Sequence, residues 1–209
     1  MGIGGNATYS HVLKWRLIGL TGLAGCGKDT AATLLLRDCP GNRLALASPI
    51  KSALNDLFGF RDSDWENREW KEAVLPSLGV SPRHLAQTLG TEWGRRMVSQ
   101  DIWLHTAAAS ADRRFNKWLP LIITDIRFPN EAAWIRGKGG VVVEIKRSGL
   151  VQDAHASEAG IGGPGDIVIE NFGSLADLSE RLLAQLAMPI AAWTAPVTPS
   201  DYRQEYLNG

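Results

Sequence analysis

The 209-residue chain is short of several things, and each shortage excludes something. It has only two cysteines, Cys26 and Cys39, so no disulfide framework holds it and a reducing cytosol suits it. Its 22 Lys and Arg balance its 22 Asp and Glu, so there is no overall electrostatic footprint for a polynucleotide or a membrane surface. No apolar run approaches membrane-spanning length, and Met1 to His11 lacks the apolar centre of a signal peptide. Met1-Gly2 opens like a myristoylation signal, but Asn6 stands where Ser or Thr is required. Internal repeats and low-complexity tracts are missing too. What remains is one cytoplasmic domain with room for an inserted subdomain. Tryptophan is the surplus: there are eight, suited to lining a planar-substrate site or, more commonly, to filling a core.

The stretch that organises the rest is Gly22-Leu23-Ala24-Gly25-Cys26-Gly27-Lys28-Asp29-Thr30. A strand-like run, Trp15 to Thr21, feeds it, and the helix-like Thr30 to Leu36 leaves it. Gly-x-x-x-x-Gly-Lys in that context is a phosphate-binding P-loop. Glycines let successive N–H groups turn toward one point, a helix N-terminus adds positive potential there, and Lys28 reaches the β- and γ-phosphates. Gly22, Ala24, Gly25, Cys26, Gly27, Lys28, Asp29 and Thr30 are therefore the nucleotide-binding candidates. Asp29 stands where the motif usually has a Mg²⁺-binding Ser or Thr. It is either a first-turn carboxylate that favours the helix or a water-mediated metal ligand.

Apolar strands alternate with helices along the chain. Strands are expected at Trp15–Thr21, Arg43–Ala47, Leu119–Thr124, Val141–Ile145 and Asp166–Glu170. This predicts an α/β fold of three layers around a central parallel five-stranded sheet, with ligands at the carboxyl ends of the strands. Helices are expected to start at Ser48-Pro49, Ser81-Pro82, Asp101, Pro129 and Ser174. Residues 1–13 read as a flexible leader and Arg61 to Trp70 as a mobile connection. The core spans about 14–47 and 119–187, a helical acceptor-binding insertion about 48–118, a lid about 147–165, and a surface tail 188–209.

Asp125 ends an apolar strand downstream of the P-loop, which is the context of a carboxylate that orients Mg²⁺ and its waters. Arg127 follows, with a guanidinium able to grip a transferring phosphoryl group bidentately. In the helix Arg83–Val98, Leu85, Leu89, Trp93 and Met97 fall on one side at four-residue steps, and Arg83, Gln87, Thr91 and Arg95 on the other. Gly90 and Gly94 inside this helix imply a close neighbour. Lys51, Arg83, Gln87, Thr91, Arg95 and Trp103 are the acceptor-binding candidates. Arg147, His155 and Glu158 are those of a lid that excludes water, and Asn171 after the last strand is placed to meet the donor base.

Five stretches together resemble the bacteriophage deoxynucleoside monophosphate kinases. They are Gly22 to Thr30, Ser48-Pro49-Ile50-Lys51, Leu85 to Arg95, Ile123 to Glu131, and His155-Ala156-Ser157-Glu158. Gly-Lys-x-Thr is also similar to nucleoside monophosphate kinases generally, in which phosphates and waters hold much of the metal. The resemblance implies ATP and Mg²⁺ as cofactors, a small deoxynucleoside monophosphate as acceptor, and its diphosphate as product. No membrane is involved, nucleic acid is disfavoured, and a homodimer is left open. Three alternatives stay beside it. Asp166 to Leu178 is similar to dephospho-coenzyme A kinases, although those carry Gly-Lys-Ser-Thr. A related kinase could act on hydroxymethylated bases in DNA, using Arg113-Arg114-Lys117. A nucleotide-sensing module without catalysis is the third.

Overall fold

A computed structural model describes residues 9–116, 119–150 and 161–190. Five parallel strands form its central sheet: β2 (Leu17–Thr21), β3 (Asn42–Leu44), β4 (Leu121–Ile123), β5 (Val141–Lys146) and β6 (Ile167–Glu170). Their order is β3-β4-β2-β5-β6, so the chain leaves central β2, fills one flank, then crosses to the other. The helices are α1 (Lys28–Asp38), α2 (Ser48–Phe58), α3 (Arg68–Glu72), α4 (Pro82–Gln87), α5 (Ile102–Arg114), α6 (Pro129–Gly137) and α7 (Leu175–Leu186).

Strand alternation divides the core into two halves. Ile18, Leu20, Val141, Val143 and Ile145 face α1 and α7, where they meet Leu35, Leu178 and Leu182. Leu17, Ile123 and Val142 face the other way, onto Ile126 and Ile135 together with Ile50, Leu54 and Trp103. Burial of each such side chain stabilises the domain by roughly 1.5–3 kcal/mol. Both faces of the sheet are covered, which is why its strands read as unbroken apolar runs. At Gly19 a Cβ atom would collide with Ile135 and press Ile126, so only glycine lets that layer approach.

Four expectations need correcting. The second strand ends at Leu44 rather than Ala47, because Leu46 and Ala47 turn their amides toward Asp125 instead of a ladder partner. The end of the leader is ordered: β1 (His11–Leu13) pairs antiparallel with β7 (Ala187–Pro189), outside the main sheet. Arg61 to Trp70 is no mobile link. It forms a 3₁₀ turn, Asp62–Glu66, followed by α3, and Trp65 is buried with its indole N–H on Asn55 Oδ1 at 2.8 Å. Finally, α4 continues at Thr88–Val98 as a π-helix, in which Ser99 N–H reaches back five residues to Gly94 O.

That wider turn defeats the four-residue pattern. Trp93 and Met97 of the expected apolar face are exposed, while Gly90, Thr91 and Gly94 are buried. The close neighbours implied by the two glycines are present. A Cβ at Gly90 would stand 2.9 Å from Ile50 Cδ1, and one at Gly94 would stand 2.7 Å from the Trp103 indole.

Candidate active site

Four of the five parallel strands lead into a candidate at their carboxyl ends, and the fifth, β3, leads into the backbone that holds one of them. β2 runs into the glycine loop, β3 into Leu46-Ala47, β4 into Asp125, β5 into Arg147 and β6 into Asn171. The loop owes its shape to Gly22, Gly25 and Gly27, with φ of 130°, 80° and 103°, a region that side chains with a Cβ rarely adopt. At Gly22 a Cβ would also collide with Ile145 O, and at Gly27 with the Asn171 amide. Helix α1 opens at Lys28 with no side-chain cap, which leaves first-turn amides available to an anion. Ala24 and Gly25 are exposed and Cys26 is buried beneath them.

The Lys28 ammonium folds back over this loop. Its Nζ donates to Gly22 O at 2.7 Å and Leu23 O at 2.9 Å, and lies 3.7 Å from Cys26 Sγ. Burial pushes the Cys26 thiol up, and the Lys28 charge opposes that rise. Asn171 braces the far side: its Nδ2 donates to Cys26 O at 2.8 Å. Asp29 is largely exposed and paired with Arg43, and Thr30 is exposed on the same turn.

Asp125 is held by two backbone donors, Leu46 N–H at 2.6 Å and Ala47 N–H at 2.9 Å, one on each oxygen. Ile126 N–H then reaches Leu20 O at 3.0 Å, which brings the segment Asp125–Arg127 beside the end of β2. The next turn contains Glu131, a residue the sequence reading left without a role. Its side chain is 1% exposed and takes Arg127 N–H at 2.7 Å, Phe128 N–H at 3.0 Å and the Arg95 guanidinium. Desolvation raises its pKa, while Arg95 and the two amides work against the rise. Its sequence signals were its place three residues after Phe128, at the start of a proline-opened helix, and its position at the end of the Ile123 to Glu131 stretch.

Arg95 is committed on every side. Besides Glu131 it donates to Gln100 O at 3.1 Å, and it covers the Phe128 ring at 4.1 Å. Thr91, Arg95, Arg96, Phe128, Pro129 and Asn130 border a cleft of about 750 Å³, large enough for a nucleotide-sized ligand. Lys51 and Arg83 lie elsewhere: Lys51 Nζ is 5.8 Å from the Trp65 ring centre, and Arg83 Nε donates to Glu72 at 2.6 Å. Gln87 is half-buried at the end of α4. Trp103 sits in the core, its indole N–H on Gly90 O at 2.8 Å. Arg147 is exposed just past β5, whereas His155 and Glu158 lie outside the described residues. A second cavity, about 730 Å³ between α1 and α7, is bordered by Leu34, Arg37 and Ser179 and by no residue of the glycine loop.

Comparison with known proteins adds a family to this geometry. A family model for deoxynucleotide monophosphate kinase matches residues 66–182. A relative from Acanthamoeba polyphaga mimivirus is 30% identical over 182 residues, covering 80% of this chain and 94% of that protein. The deoxynucleotide monophosphate kinase of Enterobacteria phage T4 is 32% identical over 233 residues, covering 80% of this chain and 97% of its own length. Among solved structures, TT1252 from Thermus thermophilus superposes with a TM-score of 0.48 at 22% identity, over 86% of this chain and 98% of that one.

Proposed function

The chain belongs to the deoxynucleotide monophosphate kinase family, and on that premise we propose that it moves the γ-phosphoryl of ATP to a deoxynucleoside 5′-monophosphate. The observation that carries this reading is the meeting of three parts at the strand ends: an uncapped glycine loop, Lys28, and a strand-terminal Asp125.

In this mechanism the loop amides and α1 bind the donor phosphates. Lys28 exchanges its two carbonyl partners for phosphate oxygens, so the folded-back ammonium is already positioned to turn onto them. Arg127 stabilises the transferring group, and Arg147 closes over it from the β5 side. Thr91 meets the acceptor in the cleft that Arg95 and Trp103 shape by holding the π-helix, and Lys51, Arg83 and Gln87 reach it from α2 and α4, outside that cleft. The attacking atom is an acceptor phosphate oxygen, ionised at neutral pH, so no strong general base is needed. Catalysis is positioning plus electrostatics.

Magnesium fits this donor set. Among the described residues no cluster of three or more His, Cys, Asp or Glu offers an all-protein cage. Mg²⁺ does not need one, since it keeps its waters and takes one or two carboxylates plus substrate phosphates. Each Asp125 oxygen accepts a single amide and retains capacity for a metal-bound water. Asp125 would hold the hydrated ion, which would supply neutralisation of charge on the donor phosphates.

The test is ADP release, coupled to a reporter, with each of the four deoxynucleoside monophosphates. Turnover with at least one is expected. Folded protein that binds ATP and turns over none of them would end the kinase reading.

A further inference from the structure

Phe60, Trp65 and Trp70 pack edge-to-face into an aromatic cluster under the helices between β3 and β4. Three cations come from the helices around it. Lys51 leaves the first turn of α2 and lies over Trp65. Lys71 follows Trp70 on α3, and Arg83 is near the start of α4. Helix α4 packs against both α2 and α3, and all three cationic residues are half-buried. Lys71 is within electrostatic reach of both other cations. Among the described residues, Glu72 takes Arg83 Nε, Glu66 is the other carboxylate acting on Lys71, and both glutamates are exposed. Burial, then Lys51 and Arg83, pull the Lys71 ammonium below its ordinary pKa.

This cluster lies close to the chemistry. Lys51 N–H donates to Ala47 O at 3.0 Å, and Ala47 N–H holds Asp125. Lys51 is thus one helical turn, about 5.4 Å, along α2 from the backbone that fixes Asp125. Arg95, by contrast, is neutralised by Glu131 and covered by Phe128. A dianionic ligand gains little from a guanidinium already spent on a buried carboxylate. It gains more where cationic side chains from three helices converge and the carboxylates beside them are exposed.

We propose that Lys71 is a substrate-binding residue that completes, with Lys51 and Arg83, a cradle for the 5′-phosphate of the acceptor. The proposal rests on the kinase reading and locates the phosphate pole of its acceptor site. Arg83 supplies a planar fork, and the two lysines supply point charges that follow a tetrahedral group. Binding a dianion relieves repulsion among the three and adds charge-assisted hydrogen bonds. Lys71 had no motif to mark it, because its partners come from two other helices.

The experiment compares wild type with Lys71→Met, which keeps the apolar stem, and Lys71→Arg, which keeps the charge. Initial rates give KM for acceptor and for ATP. Calorimetric titration gives Kd for the acceptor nucleotide, for the deoxynucleoside lacking phosphate, and for inorganic phosphate. Lys71→Met should raise the acceptor KM and Kd roughly 10- to 100-fold, with the KM for ATP and the affinity for the deoxynucleoside within about twofold of wild type. Lys71→Arg should restore most of the loss. An unchanged acceptor Kd in Lys71→Met, or equal weakening of nucleoside and nucleotide, would overturn the cradle while leaving a kinase. A wild type that binds phosphate through Lys71 yet phosphorylates no acceptor would instead overturn the kinase reading.

Discussion

Arg95 and Glu131 face each other across the join between the π-helix and α6, and together they fasten the cleft wall to the segment that carries Asp125. Glu131 is buried, so its charge depends on Arg95 and two amides for compensation. Arg95→Ala would strand that charge, at a cost of about 3–5 kcal/mol. The pH dependence carries a sign. The folded-state pKa of Glu131 lies above its ordinary value of 4.5, so the native state keeps the proton longer than the unfolded chain, and stability falls as pH rises through that interval. Losing Arg95 widens the interval. Urea unfolding should therefore show a small deficit for Arg95→Ala near pH 4, growing toward neutral pH. A deficit that does not vary with pH would disprove the coupling.

Lys28→Ala should leave the fold intact, since the side chain only bridges carbonyls of its own loop. Its kcat should drop at least about 100-fold, the scale of losing one preorganised positive group at a developing phosphoryl charge. Steady-state kinetics with saturating ATP would check this, and a drop under fivefold would remove Lys28 from the reacting centre.

Gly27→Ala meets two obstacles, a φ of 103° and the Asn171 amide where the new methyl must go. ATP affinity should fall at least tenfold, from distorted loop amides, with thermal stability lowered by about 1–3 kcal/mol. Gly19→Ala is the contrasting case. It should cost similar stability through Ile135 and Ile126, yet leave the ATP Kd near that of wild type. If the two variants lost ATP binding equally, the loop geometry would not be the cause.

Both thiols are inaccessible, Cys26 under the glycine loop and Cys39 at the end of α1. Desolvation, then Asp38, moves Cys39 up to about 11, and burial raises Cys26 as well. At pH 8 an aromatic disulfide reagent should label neither one quickly in the native protein, and both of the chain's two cysteines should react in denaturant. Rapid native labelling at Cys26 would show that the loop opens without ligand.

The sequence made the central layer readable because a doubly covered sheet demands apolar runs such as Leu121–Ile123 and Val141–Ile145, and because the glycine loop has no other common use. The caps at Ser81 and Ser174 were readable for the same local reason, an oxygen over a free amide. The π-helix was not. A four-residue stripe of Leu85, Leu89, Trp93 and Met97 fits an α-helix equally well, and only packing at Gly90 and Gly94 decides the pitch. Nor did any local signal announce β1 and β7, three residues each and stable only as a pair. Glu131 and Lys71 share that lesson. What matters about them is which distant groups lie near, and spacing along a chain does not carry that information.

The small antiparallel pair of β1 and β7 brings Ile190 N–H to Ser10 O at 3.1 Å, so two segments separated by nearly the whole described fold are neighbours. Topologically the domain is almost a closed ring. A short peptide joining those neighbours in place of residues 1–9 and 191–209, with a fresh opening cut at the exposed turn of Gly79, would reorder the polypeptide without disturbing the phosphate loop or the strands that present it.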